Sequence, residues 1–140
     1  MLGLGPGARS YTRSLHYSTE YAVGQSGVKS IIERFNSRNP AEFRVADYGV
    51  SLTVSEQKVR YVIKSLLRAE GISLVAYQER FGGPLHGDFP QLSELFELEL
   101  AQEVSGALQL NAEGLIWSDT IGPWLYSDAV TSRMSTYEFA

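Results

Sequence analysis

Residues 53–71 read TVSEQKVRYVIKSLLRAEG. Apolar side chains recur there at the spacing of an α-helix, and most cationic side chains fall off this stripe, which consists of Val59, Val62, Ile63, Leu66 and Leu67. Thr53 and, three residues later, Glu56 form a capping box, which satisfies amides at a helix start. Gly71 stands where a left-handed carboxyl-terminal cap is favoured. The stretch predicts an amphipathic helix that packs on a core.

Two further helices are predicted downstream. Residues 73–81 form a short helix that the breaker at 82–84, Gly-Gly-Pro, brings to an end. The next helix begins at Asp88, with Pro90 in its first turn and Gln91 at the capping-box position. Its apolar residues are Leu92, Leu95, Phe96 and Leu100.

The last third of the chain mixes strand and helix signals. Residues 107–110 alternate between apolar and polar and predict a short strand, half of a hairpin that turns at Ser105-Gly106. The apolar run at 115–117 fits a strand or a helix. We expect a helix from Ala112 that is broken around Gly122-Pro123 and then resumed. Aromatic residues at near-helical spacing favour a core over a flat ligand-binding surface; they are Trp117, Trp124 and Tyr126.

The amino-terminal third has weaker signals. Residues 10–27 are rich in Ser, Thr and Tyr without periodicity and predict an extended connector. Helical spacing at 28–36 predicts a helix that ends before Pro40. Residues 43–52 are mixed, with a turn expected at Asp47-Tyr48-Gly49.

These elements predict a mainly α fold with a small β hairpin, in the α+β class. Three helices, a hairpin and a further helix follow one another in the order of a winged helix-turn-helix unit, although a fold alone does not give a function. We therefore expect two parts, an extended segment over residues 1–46 and a winged-helix-like domain over residues 47–140.

Composition excludes several classes of site. The 140 residues include no cysteine, so this chain can hold neither disulfides nor an iron–sulfur cluster. His16 and His86 are far apart in sequence, which opposes a histidine zinc site, and no metal ligand is predicted. The sequence has no apolar run of membrane-spanning length and no signal-peptide pattern, so we expect no membrane association and a cytoplasmic protein.

The net charge of −4 conceals an asymmetry along the chain. Residues 1–80 carry eleven Lys and Arg against seven Asp and Glu, whereas residues 81–132 carry no Lys or Arg and eight Asp and Glu. Affinity for nucleic acid depends on cations that displace counterions from phosphates. The second stretch is therefore not a phosphate-binding surface, and no nucleic-acid partner is expected.

The first ten residues read MLGLGPGARS, with glycines at three alternate positions. Such a segment is either a disordered terminus or a strand and loop from a larger sheet, where a ligand meets the backbone. Residues 4–10, LGPGARS within it, resemble the "GxGPGAHS" segment that closes the barrel of radical-SAM proteins similar to oxygen-independent coproporphyrinogen III oxidase.

Later landmarks of that family follow in order. Residues 62–71 resemble its "LR…GI" helix, residues 77–82 its "F…FG" helix, and residues 108–114 its "LxLTxxG" junction. Segments 7–12, 15–24 and 121–127 look closer still to one uncharacterised subfamily. Arg9 stands where the related haem chaperone group has His, and Asn111 replaces the usual Thr, so haem binding is not implied.

The resemblance implies that residues 1–46 are the end of a radical-SAM barrel with its connector. Residues 47–140 would be an accessory domain that covers the active site of an oxidoreductase related to porphyrin and haem biosynthesis. The parent would use a 4Fe–4S cluster and S-adenosylmethionine. This chain lacks the Cys-x3-Cys-x2-Cys motif, so it is expected to be no enzyme alone, with no catalytic residue and no cofactor, and its main partner would be the missing barrel.

The resemblance also implies site residues. It places Gly5, Gly7 and Ser10 near S-adenosylmethionine or substrate, although a tight strand-to-loop turn without ligand explains the same residues equally well. Arg9 could pair with a substrate carboxylate, and His16 with Tyr17 could carry protons or make structural contacts.

Two alternatives come from other functional classes. A winged-helix protein could bind DNA, but the helix at residues 90–100 carries Glu94, Glu97 and Glu99 without a cation. A cut strand edge within residues 1–26 could instead pair with a second copy and give a homodimer in a free-standing association domain.

Overall fold

A computed structural model describes residues 1–20, 24–46 and 48–135, and the chain divides into two compact units. The first unit is Met1–Gln57 together with the chain from Ser132, and the second is Lys58–Thr131. The change between units falls inside a helix, α2 (Val54–Leu66). The predicted boundary at residues 46 and 47 stays a prediction.

The first unit contains one small antiparallel sheet in the order β1-β2-β3. Its elements are β1 (Arg9–Tyr11), β2 (Leu15–Ser18), α1 (Gln25–Ser37), a 3₁₀ helix (Pro40–Arg44) and β3 (Tyr48–Ser51). The helix predicted at residues 28–36 is confirmed and starts three residues earlier. The extended connector was wrong over residues 15–18, which form the central strand because both of their backbone edges are paired.

The turn predicted at Asp47-Tyr48-Gly49 was also wrong for the two of these residues that the structure describes. Asp47 lies outside the described residues, whereas Tyr48 and Gly49 belong to β3. Gly49 lies opposite Tyr17, and a Cβ at this position would approach the Tyr17 Cβ to 3.0 Å. Glycine therefore serves close strand packing here.

The second unit holds a three-stranded antiparallel sheet in the order β4-β6-β5, surrounded by helices. Its elements are α2 (Val54–Leu66, begun in the first unit), β4 (Ile72–Ser73), α3 (Leu74–Phe81), α4 (Leu85–Asp88), a 3₁₀ helix (Pro90–Leu92), α5 (Ser93–Glu97), β5 (Ala101–Val104), β6 (Ala107–Leu110), α6 (Ala112–Ile116), α7 (Ser118–Trp124) and α8 (Asp128–Ser135, which extends beyond the unit). The α+β prediction is confirmed, as is the hairpin at Ser105-Gly106.

The predicted start of α2 is confirmed in detail. The Thr53 backbone N–H donates to Glu56 Oε2 at 2.7 Å, and the Glu56 N–H donates to Thr53 Oγ1 at 3.2 Å. Ser73 caps α3 in a similar way, because its Oγ accepts from the Ala76 N–H at 3.2 Å.

The helix predicted to begin at Asp88 was wrong. Asp88 is instead the last residue of α4, and Phe89 leaves helical geometry with φ −132° and ψ 67°. A 3₁₀ turn then precedes α5, and Leu100 lies beyond its end. His86 is exposed to solvent and lies in α4, with its Nε2 2.7 Å from Glu103 Oε1.

The break expected at Gly122-Pro123 was wrong as well. Pro123 lies in the last turn of α7, and the helices are separated instead at Trp117 and after Trp124. The core prediction for the aromatic residues also fails for two of them, because Trp117 is 52% exposed and Trp124 is 37% exposed.

The second unit has a well-formed hydrophobic core between α2, the sheet and the following helices. Its fully buried residues include Val62, Leu66, Ile72, Tyr77, Leu85, Leu92 and Leu108. In contrast, Ser10 and Ile31 are the only buried residues among the described part of Met1–Gln57. The hydrophobic effect therefore stabilises the second unit far more than the first.

Gly71 allows the chain to leave α2 and enter the sheet at once. Its φ is +70°, the left-handed conformation that the sequence predicted. A Cβ at Gly71 would lie 2.1 Å from the Leu108 carbonyl oxygen, which no side chain can tolerate. Gly82 has a similar φ of +80°, but a Cβ there meets nothing within 4 Å.

These two glycines form a matched pair for a stability test. Gly82→Ala should cost about 1 kcal/mol, the conformational penalty alone. Gly71→Ala should cost at least about 3 kcal/mol, because the backbone of β6 must also move. Urea unfolding of both variants measures the difference, and equal losses would contradict this account of the contact.

Candidate functional site

The glycine-rich segment at the start of the chain forms a closed loop. Gly5 has φ +101° and Gly7 has φ +72°, both in the region that favours glycine. The Ala8 N–H donates to the Gly5 carbonyl at 3.3 Å. Thr19 holds the loop from β2's side, because its Oγ1 donates to the same carbonyl, also at 3.3 Å.

Residues 1–3 lie along the outer edge of β1. The Tyr11 N–H donates to the Met1 carbonyl at 2.8 Å, and the terminal amine of Met1 donates to the Tyr11 carbonyl at 3.0 Å. Ser10 completes this arrangement, because its Oγ accepts from the Gly3 N–H at 3.0 Å and the residue is only 4% exposed. The hydroxyl thus fixes the loop to the strand.

The pairing of β1 with β2 separates the predicted site residues between two faces. Ser10 lies opposite Tyr17, and Tyr11 lies opposite His16, while Arg9 lies opposite Ser18. Since neighbouring side chains along a strand point to opposite faces, Ser10 and Tyr17 share one face. Arg9 and His16 share the other face with Tyr11.

Tyr11 was not among the predicted site residues, yet it is the direct cross-strand neighbour of His16. The rings of Tyr11 and His16 stack with centroids 4.5 Å apart and an interplanar angle of 24°. Thr19 was missed too. Recognition of residues 9–18 as two paired strands would have placed Tyr11 beside His16, and this signal is weak in segments of three and four residues.

The structure therefore brings Gly5, Gly7 and Ser10 into one loop, and Arg9 and His16 onto one strand face. It does not bring Tyr17 to His16, with which it was paired in the sequence reasoning. The predicted ligand roles of these residues stay predictions. Chemically, Gly5 offers open backbone, because a Cβ there would meet nothing within 4 Å.

A second polar cluster lies in the second unit and links three helices. The Tyr77 hydroxyl donates to Asp88 Oδ2 at 2.8 Å, and Lys58 Nζ donates to Asp88 Oδ1 at 2.6 Å. These residues come from α3, α4 and α2 respectively. The hydrogen bonds from Lys58 and from Tyr77 hold the pKa of Asp88 below its usual value. Burial, and next the hydrogen bond to Asp88, raise the pKa of Tyr77 above its usual range.

This cluster is built for stability. Tyr77 is fully buried, and its phenol remains neutral across the physiological range. A buried hydroxyl needs a hydrogen-bond partner, and the carboxylate of Asp88 at the edge of the core accepts this hydrogen bond. Sequence reasoning did not find the cluster, because residues 58, 77 and 88 have no common spacing.

Searches for similar proteins gave no match to the chain among family models, curated proteins or solved structures. Among the described residues, no helix is both long and apolar enough to cross a membrane. No group of three or more His, Asp or Glu side chains within the described ranges is placed to hold a metal ion.

The role of Ser10 can be measured at a single amide. Ser10→Ala removes the acceptor for the Gly3 N–H, which should lower the local opening free energy by about 1 kcal/mol and speed amide exchange at Gly3 about fivefold. Ser14→Ala is the control, since its side chain is exposed. Unchanged exchange in Ser10→Ala would show that the hydroxyl does not hold the loop.

The Asp88 cluster predicts a pH dependence of stability. The folded-state pKa of Asp88 lies below its unfolded value of about 3.9, so the ionised carboxylate stabilises the fold above that pH. This contribution disappears as the pH falls through the lower, folded pKa. Asp88→Asn should therefore lower the free energy of unfolding by about 1 kcal/mol at pH 7, since solvent at this exposed position screens the charge.

The difference between the wild type and Asp88→Asn should shrink when chemical unfolding is repeated below about pH 4. Glu94→Gln, at an exposed position on α5, serves as the control and should change little at either pH. A difference for Asp88→Asn that does not vary with pH would contradict the assigned ionisation.

Proposed function

We propose that this chain is the carboxyl-terminal accessory part of a radical-SAM oxidoreductase similar to oxygen-independent coproporphyrinogen III oxidase. In this role it covers the active site of a barrel and has no catalysis of its own. The observation that carries the proposal is the imbalance between the two units. The first has regular secondary structure but almost no core.

The apolar residues of the first unit are largely at the surface. Leu4 is 94% exposed and Val45 is 71% exposed, and further exposed apolar residues are Leu2, Val28, Ile32, Phe43, Tyr48 and Val50. A unit that buries so few of its apolar side chains gains little stability from the hydrophobic effect. A segment that belongs to the end of a larger barrel would have these properties, because the barrel supplies the missing contacts.

The second unit supports the accessory role. Its elements follow the order helix, strand, four short helical segments and hairpin, and its sheet has the order β4-β6-β5. Helices before the hairpin and helices after it agree with the winged-helix prediction only at this coarse level. The winged-helix assignment is part of the proposal.

The residues of this chain fit the two proposed cofactors differently. The chain contains no cysteine, so it supplies no thiolate for a 4Fe–4S cluster, and that cluster belongs to the proposed barrel. The open backbone at Gly5 fits the close approach of S-adenosylmethionine. Ser10 fits a direct contact less well, since its hydroxyl is enclosed and accepts from Gly3.

Two other functions have less support. A DNA-binding winged helix would place Glu94 and Glu97 of α5 toward phosphates, which they repel. Association through residues 1–26 is restricted by residues 1–3, which already lie along β1. For a homodimer, β3 offers a more accessible edge, because all four of its residues are exposed and its described pairing is to β2 alone.

Gly5 and Gly24 provide the experiment. Both have φ near +100° (101° and 94°), and a Cβ at either position meets nothing within 4 Å. In the whole polypeptide that the proposal implies, Gly5→Ala should weaken binding of S-adenosylmethionine on the order of tenfold, because the methyl occupies the ligand's approach. Gly24→Ala carries the same strain and should leave binding unchanged.

Isothermal titration under anaerobic conditions measures both variants. Equal affinities for Gly5→Ala and the wild type would remove the proposed cofactor contact. A characteristic iron–sulfur absorption in residues 1–140 alone would refute the proposal that the cluster belongs to the barrel and not to this chain.

A further inference from the structure

An exposed apolar face occurs on α6 and the turn before β5. The three consecutive residues Leu115, Ile116 and Trp117 are 42%, 73% and 52% exposed, and Leu98 in the preceding turn is 57% exposed. We refer to these four residues as the α6 face. Single exposed apolar residues are common, whereas a run of three large ones marks an interaction surface.

The two parts of the α6 face are held together by specific contacts. The Asn111 side-chain amide donates to the Glu99 carbonyl at 2.6 Å. The Asn111 N–H donates to the Leu100 carbonyl at 3.0 Å. Gly114 packs so closely on this carbonyl that a Cβ would lie 2.2 Å from its oxygen. The start of α6 is thus fixed against residues 99–100, immediately after Leu98.

Acidic residues flank both parts of the α6 face. Glu97 and Glu99 lie on either side of Leu98, and Glu113 and Asp119 lie on either side of residues 115–117. Within the described ranges, none of these four carboxylates forms an ion pair, although Asp88 and Glu103 of the same unit do. Residues 81–132, which include the whole α6 face, contain no Lys or Arg.

This charge pattern selects the kind of partner. Nucleic acids and anionic lipid surfaces are repelled by unneutralised carboxylates. A basic polypeptide segment with apolar side chains satisfies both features, since its cations meet the carboxylates and its apolar side chains cover Ile116 and Trp117. A second copy is a poorer fit, because such a heterologous contact would continue into a chain of copies.

We infer that the α6 face is a docking site for a basic amphipathic segment of another polypeptide. This inference does not rest on the proposed function, because it uses only the second unit's exposed apolar residues and their charges. Apolar contact would supply most of the affinity, and the carboxylates would steer the encounter and select against acidic partners.

The probe is a fluorescein-labelled helical peptide of Lys and Leu with its leucines along one face, and its partner is the complete chain. Binding is followed by fluorescence anisotropy. The same peptide with Glu in place of Lys should not bind. Removal of three charges in Glu97→Gln/Glu99→Gln/Glu113→Gln should weaken binding on the order of tenfold, and raised salt should reduce the effect.

The matched control removes three carboxylates elsewhere, in Glu33→Gln/Glu70→Gln/Glu79→Gln. These positions are exposed, and the change in net charge is the same. Binding by this control should stay within about twofold of the wild type. Ile116→Ser should weaken binding about fivefold, as expected for one apolar anchor.

Equal weakening by both triple variants would show attraction to net charge alone and overturn the inference. So would an unchanged affinity in Ile116→Ser, or peptide-induced polymerisation of the chain in analytical ultracentrifugation. Chemical-shift mapping on the wild type does not depend on variant folding. Shifts clustered at residues 97–99 and 113–119 support the site, and shifts elsewhere contradict it.

Discussion

The contact of Gly71 with the Leu108 carbonyl is the constraint on which the second unit depends. Because this position has no side chain, β4 can begin one residue later and pair Ile72 with Leu108 at the centre of the sheet. α3 then starts directly after β4 under the Ser73 cap. The buried stripe of α2 is thereby brought against residues from the sheet and from the helices that follow.

Polar interactions complete this unit where the core reaches its edge. The carboxylate of Asp88 receives Lys58 from α2 and Tyr77 from α3, so one charged group fixes the positions of three helices. The buried phenol has a partner, and the carboxylate is stabilised in its ionised form. These two hydrogen bonds restrict how α2, α3 and α4 can be arranged around the core.

The first unit follows a different physical principle. Its organisation comes from backbone pairing, from glycines with positive φ and from the enclosed Ser10 hydroxyl. Little apolar area is removed from water there, and many of its apolar residues remain exposed. Backbone hydrogen bonds contribute only modestly to net stability, so this unit gains most if another surface covers it.

Local signals in the sequence predicted the features that local interactions determine. The capping box at Thr53, the stripe of α2, the left-handed Gly71 and the turn at Ser105-Gly106 are of this kind. The strands β2 and β3 were missed because each has four residues and because they pair with each other across α1 and the 3₁₀ helix. Asp88 was misread as a cap because its carboxylate bonds to Lys58 and Tyr77 instead of to backbone amides.

The candidate site was predictable only in part. The glycines of the loop were identified from their composition and resemblance, whereas the stacking of Tyr11 on His16 requires the strand register. The exposure of Trp117 could not be read from spacing, since aromatic residues at helical intervals fit a core and a surface equally.

The central proposal is that this chain completes the barrel of a radical-SAM protein. The most direct measurement is the nucleotide sequence upstream of the Met1 codon at the native locus, translated in the frame of this chain. The account predicts an uninterrupted frame that encodes a barrel with the Cys-x3-Cys-x2-Cys motif. A stop codon in this frame before any such motif would contradict it.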